Sequence, residues 1–162
     1  MGRKKKTPRT AALRALSTAG IQHTVVTYDY MERGGTRASS TALGVDEHIV
    51  VKTLVFETSD RAPLIICQHG DRSVSAKALA RSLQVRSVRP CDPTVAQRHS
   101  GYLIGGTSPF GLRKPLPVYV EASILSLPEI YINGGSRGLL VKVSPTALVD
   151  LLAATPVKVA RD

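Results

Sequence analysis

Two pairs of β-prone runs lie too close together in the chain for anything longer than a turn to join them, and this constrains the fold more than any other feature. Val50 to Glu57 and Leu64 to His69 are separated by a polar turn containing Thr58, Ser59 and Asp60. Glu129 to Asn133 and Leu139 to Val143 are separated by Gly134, Gly135, Ser136, Arg137 and Gly138. Parallel neighbours need a crossover of about a dozen residues, so each pair is expected to form an antiparallel hairpin. Helical patterns are interspersed with these runs. The expected fold is therefore α/β of the α+β type, a mixed, largely antiparallel curved sheet surrounded by helices, and not a doubly wound parallel sheet.

The remaining elements follow from caps and periodicity. Thr7 and Pro8 make a cap-plus-proline start for a first helix carrying Ala12, Leu13, Leu16 and Ala19 as far as Gly20. Ile21 to Tyr30 reads as a strand, Gly34 and Gly35 as the opening of a loop, and Ala42 to Leu43 as part of a short helix closing at Gly44. Ser73 to Leu83 reads as a helix, Val85 to Val88 as a short strand, and Asp92 with Pro93 as the start of a helix running through Arg98 to Gly101. Leu116 to Glu121 completes the strands, and Ser144 with Pro145 starts a last helix with Leu148, Leu151 and Leu152.

The chain of 162 residues suits one domain, 7–162, behind a basic disordered tail, 1–6. The formal net charge is +10, and Arg3, Lys4, Lys5, Lys6 and Arg9 supply half of it. The body stays basic without them, so a polyanionic partner is expected, with nucleic acid the first candidate. The tail is either a solubilising extension or a non-specific phosphate-binding arm. No apolar run approaches the roughly 20 residues that cross a bilayer, and the basic N-terminus lacks the apolar core of a secretory signal; the expectation is a cytoplasmic protein with no membrane partner. Cys67 and Cys91 have no neighbouring partner of metal-knuckle or dithiol spacing, and Cys67 in its apolar run is read as a small buried hydrophobe.

The familiar hydrolase signatures are missing: the sequence has no G-x-S-x-G elbow, H-E-x-x-H pair or P-loop lysine motif. His23, His48, His69 and His99 are scattered singly and are given no role; no metal and no cofactor is expected. Lys52 stands out because alternation through Val50, Lys52, Leu54 and Phe56 puts its ammonium on an apolar face. Such a lysine snorkels out, lines a pocket or meets an anion, and in a pocket it suits a phosphate or a developing oxyanion. Gly101 to Gly111 holds four glycines and a proline, so it forms no regular helix. Its backbone is either an ordinary surface turn or a wall whose N–H groups approach a carbonyl or a ribose. The Gly134 to Gly138 segment carries the same two alternatives.

Four segments together resemble the YbaK family of the prolyl-tRNA synthetase editing-domain superfamily: Val51 to Leu54; Asp92 to Arg98; the Gly101 to Gly111 loop; and Ile130 to Leu139. Their order matches nearly the whole chain after the tail. The resemblance implies a compact α/β fold with a pocket for the aminoacyl-adenosine end of a mischarged tRNA, and deacylation of Cys-tRNA(Pro), in some settings beside prolyl-tRNA synthetase. It implies catalytic roles for Lys52, on the terminal nucleotide or the ester, and for Gly105, whose backbone approaches the scissile carbonyl. It further implies substrate contacts by Tyr28, Gly106, Thr107, Ser108, Pro109, Gly134, Gly135 and Arg137. In similar enzymes the substrate's cysteine thiol attacks the ester to give a thiolactone, which explains the missing triad. Tyr30, Thr107 and Ser136 depart from the histidine, isoleucine and lysine common in close relatives. A sibling deacylase for alanine, serine or threonine, or a non-catalytic tRNA-binding module, remain the competing readings.

Overall fold

The computed structural model describes residues 9–162, so the expected tail 1–6 and the cap at Thr7 and Pro8 lie outside the described residues. The first helix, α1, spans Ala11–Thr18 and is capped by Thr10, whose hydroxyl accepts the Leu13 N–H at 3.1 Å. The same hydroxyl donates to the Gly134 carbonyl, tying the start of the helix to the sheet beneath it. Thr10→Val keeps the shape but removes both bonds. It is expected to lower the free energy of unfolding by about 1–2 kcal/mol, read as a lower urea midpoint at unchanged m; an unchanged midpoint would show that the cap carries no stability.

Strand β1, His23–Thr27, is shorter than expected because the chain leaves the sheet at Tyr28, whose N–H is taken by the Gly138 carbonyl at 3.0 Å. Helix α2, Gly35–Leu43, begins at the glycines expected to open a loop and ends as expected at Gly44, which is left-handed. The hairpin β2, Val50–Thr58, and β3, Pro63–His69, is antiparallel, with Lys52 opposite Gln68. Ser73–Val74 is a two-residue strand, β4, followed by helix α3, Ala76–Leu83, capped by Ser75. Strand β5 is Val88–Pro90, and helix α4, Pro93–Ser100, has its proline in the first turn and Gly101 at its end. Strands β6, Val118–Glu121, β7, Ile130–Ser136, and β8, Leu139–Val143, precede helix α5, Thr146–Leu152. Two short strands, β9, Thr155–Val157, and β10, Ala160–Arg161, were not foreseen.

The main sheet runs β1-β8-β7-β2-β3-β6-β9, with β5 also on β2. Its hairpin pairs and the β1–β8 and β2–β5 pairs are antiparallel, while β2–β7, β3–β6 and β6–β9 are parallel. This is the mixed, largely antiparallel sheet expected.

Alternation along β3 divides the interior into two clusters. Ile65 and Cys67 join α1, Ile132, Val141, Phe110 and Leu148 on one face; Leu64 and Ile66 join Leu79 of α3, Phe56 and Val159 on the other. Cys67 is wholly buried, and burial pushes its thiol up to about 12, in keeping with a packing role.

Candidate functional site

The site is a break in the sheet. Strand β7 pairs with β2 only at Val50 and Val51, and β5 pairs with β2 only from Phe56 to Thr58. Between these pairings the edge of β2 opens on a cavity of about 790 Å³, whose wall takes in every residue from Val50 to Phe56. Consecutive residues can line one wall only where the backbone edge itself is exposed, since side chains alternate between faces. The volume lies within the range of sites that hold a small molecule or a terminal nucleotide.

Lys52 stands in this wall, half-buried, with its Nζ 3.5 Å from the Gly70 carbonyl. Burial lowers its pKa from the ordinary lysine value, and the nearby charges of Glu47 and Asp71 offset part of that effect. Glu47 is held in turn by the Thr36 hydroxyl, which donates to its Oε2 at 2.8 Å. The side chain therefore neither snorkels free nor sits in a closed ion pair, and an anion entering the cavity would be its strongest partner.

Gly105 lines the same cavity at positive φ, 87°, on a loop held by the β7–β8 hairpin. Asn133 donates its side-chain amide to the Gly105 carbonyl at 3.1 Å, and Arg137 donates Nε to the Ile104 carbonyl at 2.8 Å. The Arg137 guanidinium also lies 5.3 Å from the centre of the Tyr30 ring. In a planar trans peptide the N–H points opposite to the carbonyl, so gripping the Ile104 carbonyl fixes the direction of the Gly105 N–H.

The structure brings Tyr28, Lys52, Gly105, Thr107 and Arg137 into one wall. Burial raises the Tyr28 pKa, with the neighbouring Tyr30 adding to the shift and a bond to Ser39 opposing it. The other expected residues lie outside that wall. Gly106 is buried and its N–H donates to the Leu103 carbonyl at 2.9 Å, closing a turn. Ser108 is wholly buried and its hydroxyl accepts the Phe110 N–H, with Pro109 buried beside it. Gly134 and Gly135 serve close packing: a Cβ at the first would collide with Leu139, and one at the second with Tyr102 and Thr10. Asn133, Thr36, Ser39 and Cys91 also reach the wall and carried no separable signal, since each owes its place to strand order or to α2. Burial pushes the Cys91 thiol up to about 11, with the Glu57 and Asp92 carboxylates acting in the same direction.

The profile of the aminoacyl-tRNA editing domain matches residues 35–151. The chain belongs to that family. EbsC of Enterococcus faecalis, named as a candidate Cys-tRNA(Pro)/Cys-tRNA(Cys) deacylase, is 24% identical over 152 residues, covering 93% of each chain. A proline–tRNA ligase of Brachyspira hyodysenteriae is 21% identical over 92 residues, which are 57% of this chain and 16% of the ligase. A crystal structure described as a candidate trans-editing enzyme for prolyl-tRNA synthetase superposes with a TM-score of 0.84 at 24% identity, covering 96% of this chain and all of the other. The fold is that of YbaK-like editing proteins.

The editing domain also unites two histidines that the sequence left apart. The rings of His48 and His69 stack at 3.8 Å, and the Asp71 carboxylate lies 2.8 Å from His48 Nδ1. His69 donates Nδ1 to the His48 carbonyl and accepts the Ser123 hydroxyl at Nε2, both at 2.7 Å. Its two nitrogens are thus committed, and stacked rings hold their in-plane lone pairs parallel instead of converging on an ion. The pair braces the turn through Gly70 that receives Lys52. No helix among the described residues is long and apolar enough to cross a membrane.

Proposed function

We propose that this editing domain acts in trans on mischarged tRNA and deacylates Cys-tRNA(Pro), with the cysteine thiol of the substrate as nucleophile. The observation that carries this reading is the character of the cavity lining: a half-buried lysine and a glycine-containing backbone loop border one cleft at a gap in the sheet, while the lining's own thiol, Cys91, stays protonated at neutral pH. Such a wall is suited to binding and folding a substrate more than to attacking it.

In this mechanism Lys52 attracts the phosphate or ester oxygen of the terminal nucleotide, and the Gly105 N–H faces the scissile carbonyl. The substrate sulfur forms a bond to that carbonyl carbon and the bond to the ribose oxygen breaks. The thiol's proton ends on that oxygen, releasing tRNA and a four-membered thiolactone that water then opens. Holding sulfur against carbon raises the effective concentration of the attacking group without a protein base. The names of EbsC and of the prolyl-tRNA synthetase trans-editing structure support cysteine and tRNA(Pro).

The test is release of amino acid from tRNA(Pro) charged separately with cysteine, alanine, serine, threonine and proline. Cysteine is expected to be released selectively, and alkylation of its thiol to abolish release. Equal release from the alkylated substrate would sink the thiol mechanism, release of alanine, serine or threonine instead would move the specificity, and no release would leave a tRNA-binding module.

A further inference from the structure

Among the described residues five large apolar side chains are exposed, and four of them flank the mouth of the cavity: Tyr30 at 37%, Met31 at 62%, Leu103 at 60% and Ile104 at 43%. They lie on two segments that meet, because a Cβ added at Gly105 would fall 2.5 Å from the Tyr30 hydroxyl. Arg137 joins the segments by donating to the Ile104 carbonyl and laying its guanidinium over Tyr30. Tyr30, Ile104 and Arg137 belong to both the cavity wall and this rim. Scattered exposed apolar residues need no explanation, but four gathered on one edge mark an interaction surface.

We propose that this rim is a stacking surface for the unpaired nucleobases that precede the terminal nucleotide at the 3′ end of tRNA. The inference rests on the proposed function, in which the terminal aminoacyl nucleotide occupies the cavity. The strand leading to that nucleotide then has to cross the rim. Its phosphates meet a net positive setting, with Arg33, Lys52 and Arg137 in the cavity wall against the one carboxylate of Glu32. Its bases, having no complementary strand, present flat apolar faces, which the Tyr30 ring, the planar Arg137 group and the aliphatic Met31, Leu103 and Ile104 cover. Stacking of this kind is indifferent to sequence, so the rim contributes affinity for any single-stranded 3′ end and leaves the choice of tRNA to other contacts.

The experiment uses the fluorescently labelled RNA tetranucleotide ACCA and the same oligonucleotide with abasic riboses in place of both cytidines. Each is titrated into the wild-type protein and the Met31→Ser/Leu103→Ser double variant. Both substituted residues are exposed and outside the cavity wall, so the melting temperature should be unchanged. The intact RNA is expected to bind the wild type about tenfold more tightly than the abasic one. The variant should bind the intact RNA about threefold more weakly than the wild type and the abasic RNA as the wild type does, because Tyr30, Ile104 and Arg137 keep part of the stacking. Its dependence on salt should be unchanged because no charge was removed. The proposal is overturned if the abasic RNA binds the wild type as tightly as the intact one, or if the variant keeps wild-type affinity. It is equally overturned if the variant keeps that affinity but loses association with prolyl-tRNA synthetase, which would assign the rim to a protein. Binding is read without turnover, so a wild type that discriminates the two RNAs yet deacylates nothing would retain the rim and remove the proposed reaction.

Discussion

Lys52→Ala is expected to lower kcat/KM for deacylation of Cys-tRNA(Pro) by about 100-fold or more, the scale of losing one fixed electrostatic donor at a reacting centre. The fold should survive, because among the described residues the ammonium's one hydrogen bond is the long one to Gly70. The acting form is the cation, whose pKa burial lowers below the ordinary 10.5. After subtraction of spontaneous ester hydrolysis, activity should hold through neutral pH and decline as pH rises through that lowered value. Lys52→Arg keeps its charge at every accessible pH and should remove the alkaline decline even where its bulk leaves the rate low. A variant with alanine here and full activity would take the lysine out of the mechanism.

Gly105→Ala should be comparably damaging, by about 100-fold in kcat, for two separable reasons. The backbone sits at φ 87°, where a Cβ adds about 1–2 kcal/mol of strain, and the added methyl would lie 2.5 Å from the Tyr30 hydroxyl. The ring cannot yield freely while Arg137 lies over it. Combining Gly105→Ala with Tyr30→Ala removes the collision and leaves the strain, so the double variant should recover part of the lost rate. Single-turnover measurements on the three proteins separate these contributions; wild-type turnover by Gly105→Ala alone would show that the orientation of this N–H does not matter.

What the sequence disclosed depended on whether a signal was local. The β2–β3 and β7–β8 hairpins, the start of α4 at Asp92 and Pro93, and the stop at Gly44 were legible because turn chemistry and caps act over a few residues. The helix α1 begins at Ala11 behind Thr10, whose hydroxyl is fixed in part by its bond to Gly134, 124 residues away, a partner that no local pattern discloses. Strands β9 and β10 were invisible because each is too short to show a period and exists only through its neighbours. The same contrast divides the site. Lys52 announced itself as a charge in an apolar row, whereas Asn133 and the stacked His48 and His69 depend on which strands lie side by side. Gly134 and Gly135 look in sequence like a binding loop, yet the absence of their side chains makes room for Leu139, Tyr102 and Thr10.

The interval in which β2 has lost β7 and not yet gained β5 has a consequence for inheritance. A cleft carved by side chains is erased when those side chains drift, but one left by missing strand pairing persists for as long as the strand order does. The framework here superposes on a relative of only 24% identity with a TM-score of 0.84. Under the proposed function, the backbone edge in such a frame would receive the invariant part of a substrate, the terminal nucleotide with its ester, while substitutions along the wall would change which amino acid is accepted. New specificities could then arise without the cleft having to be built again.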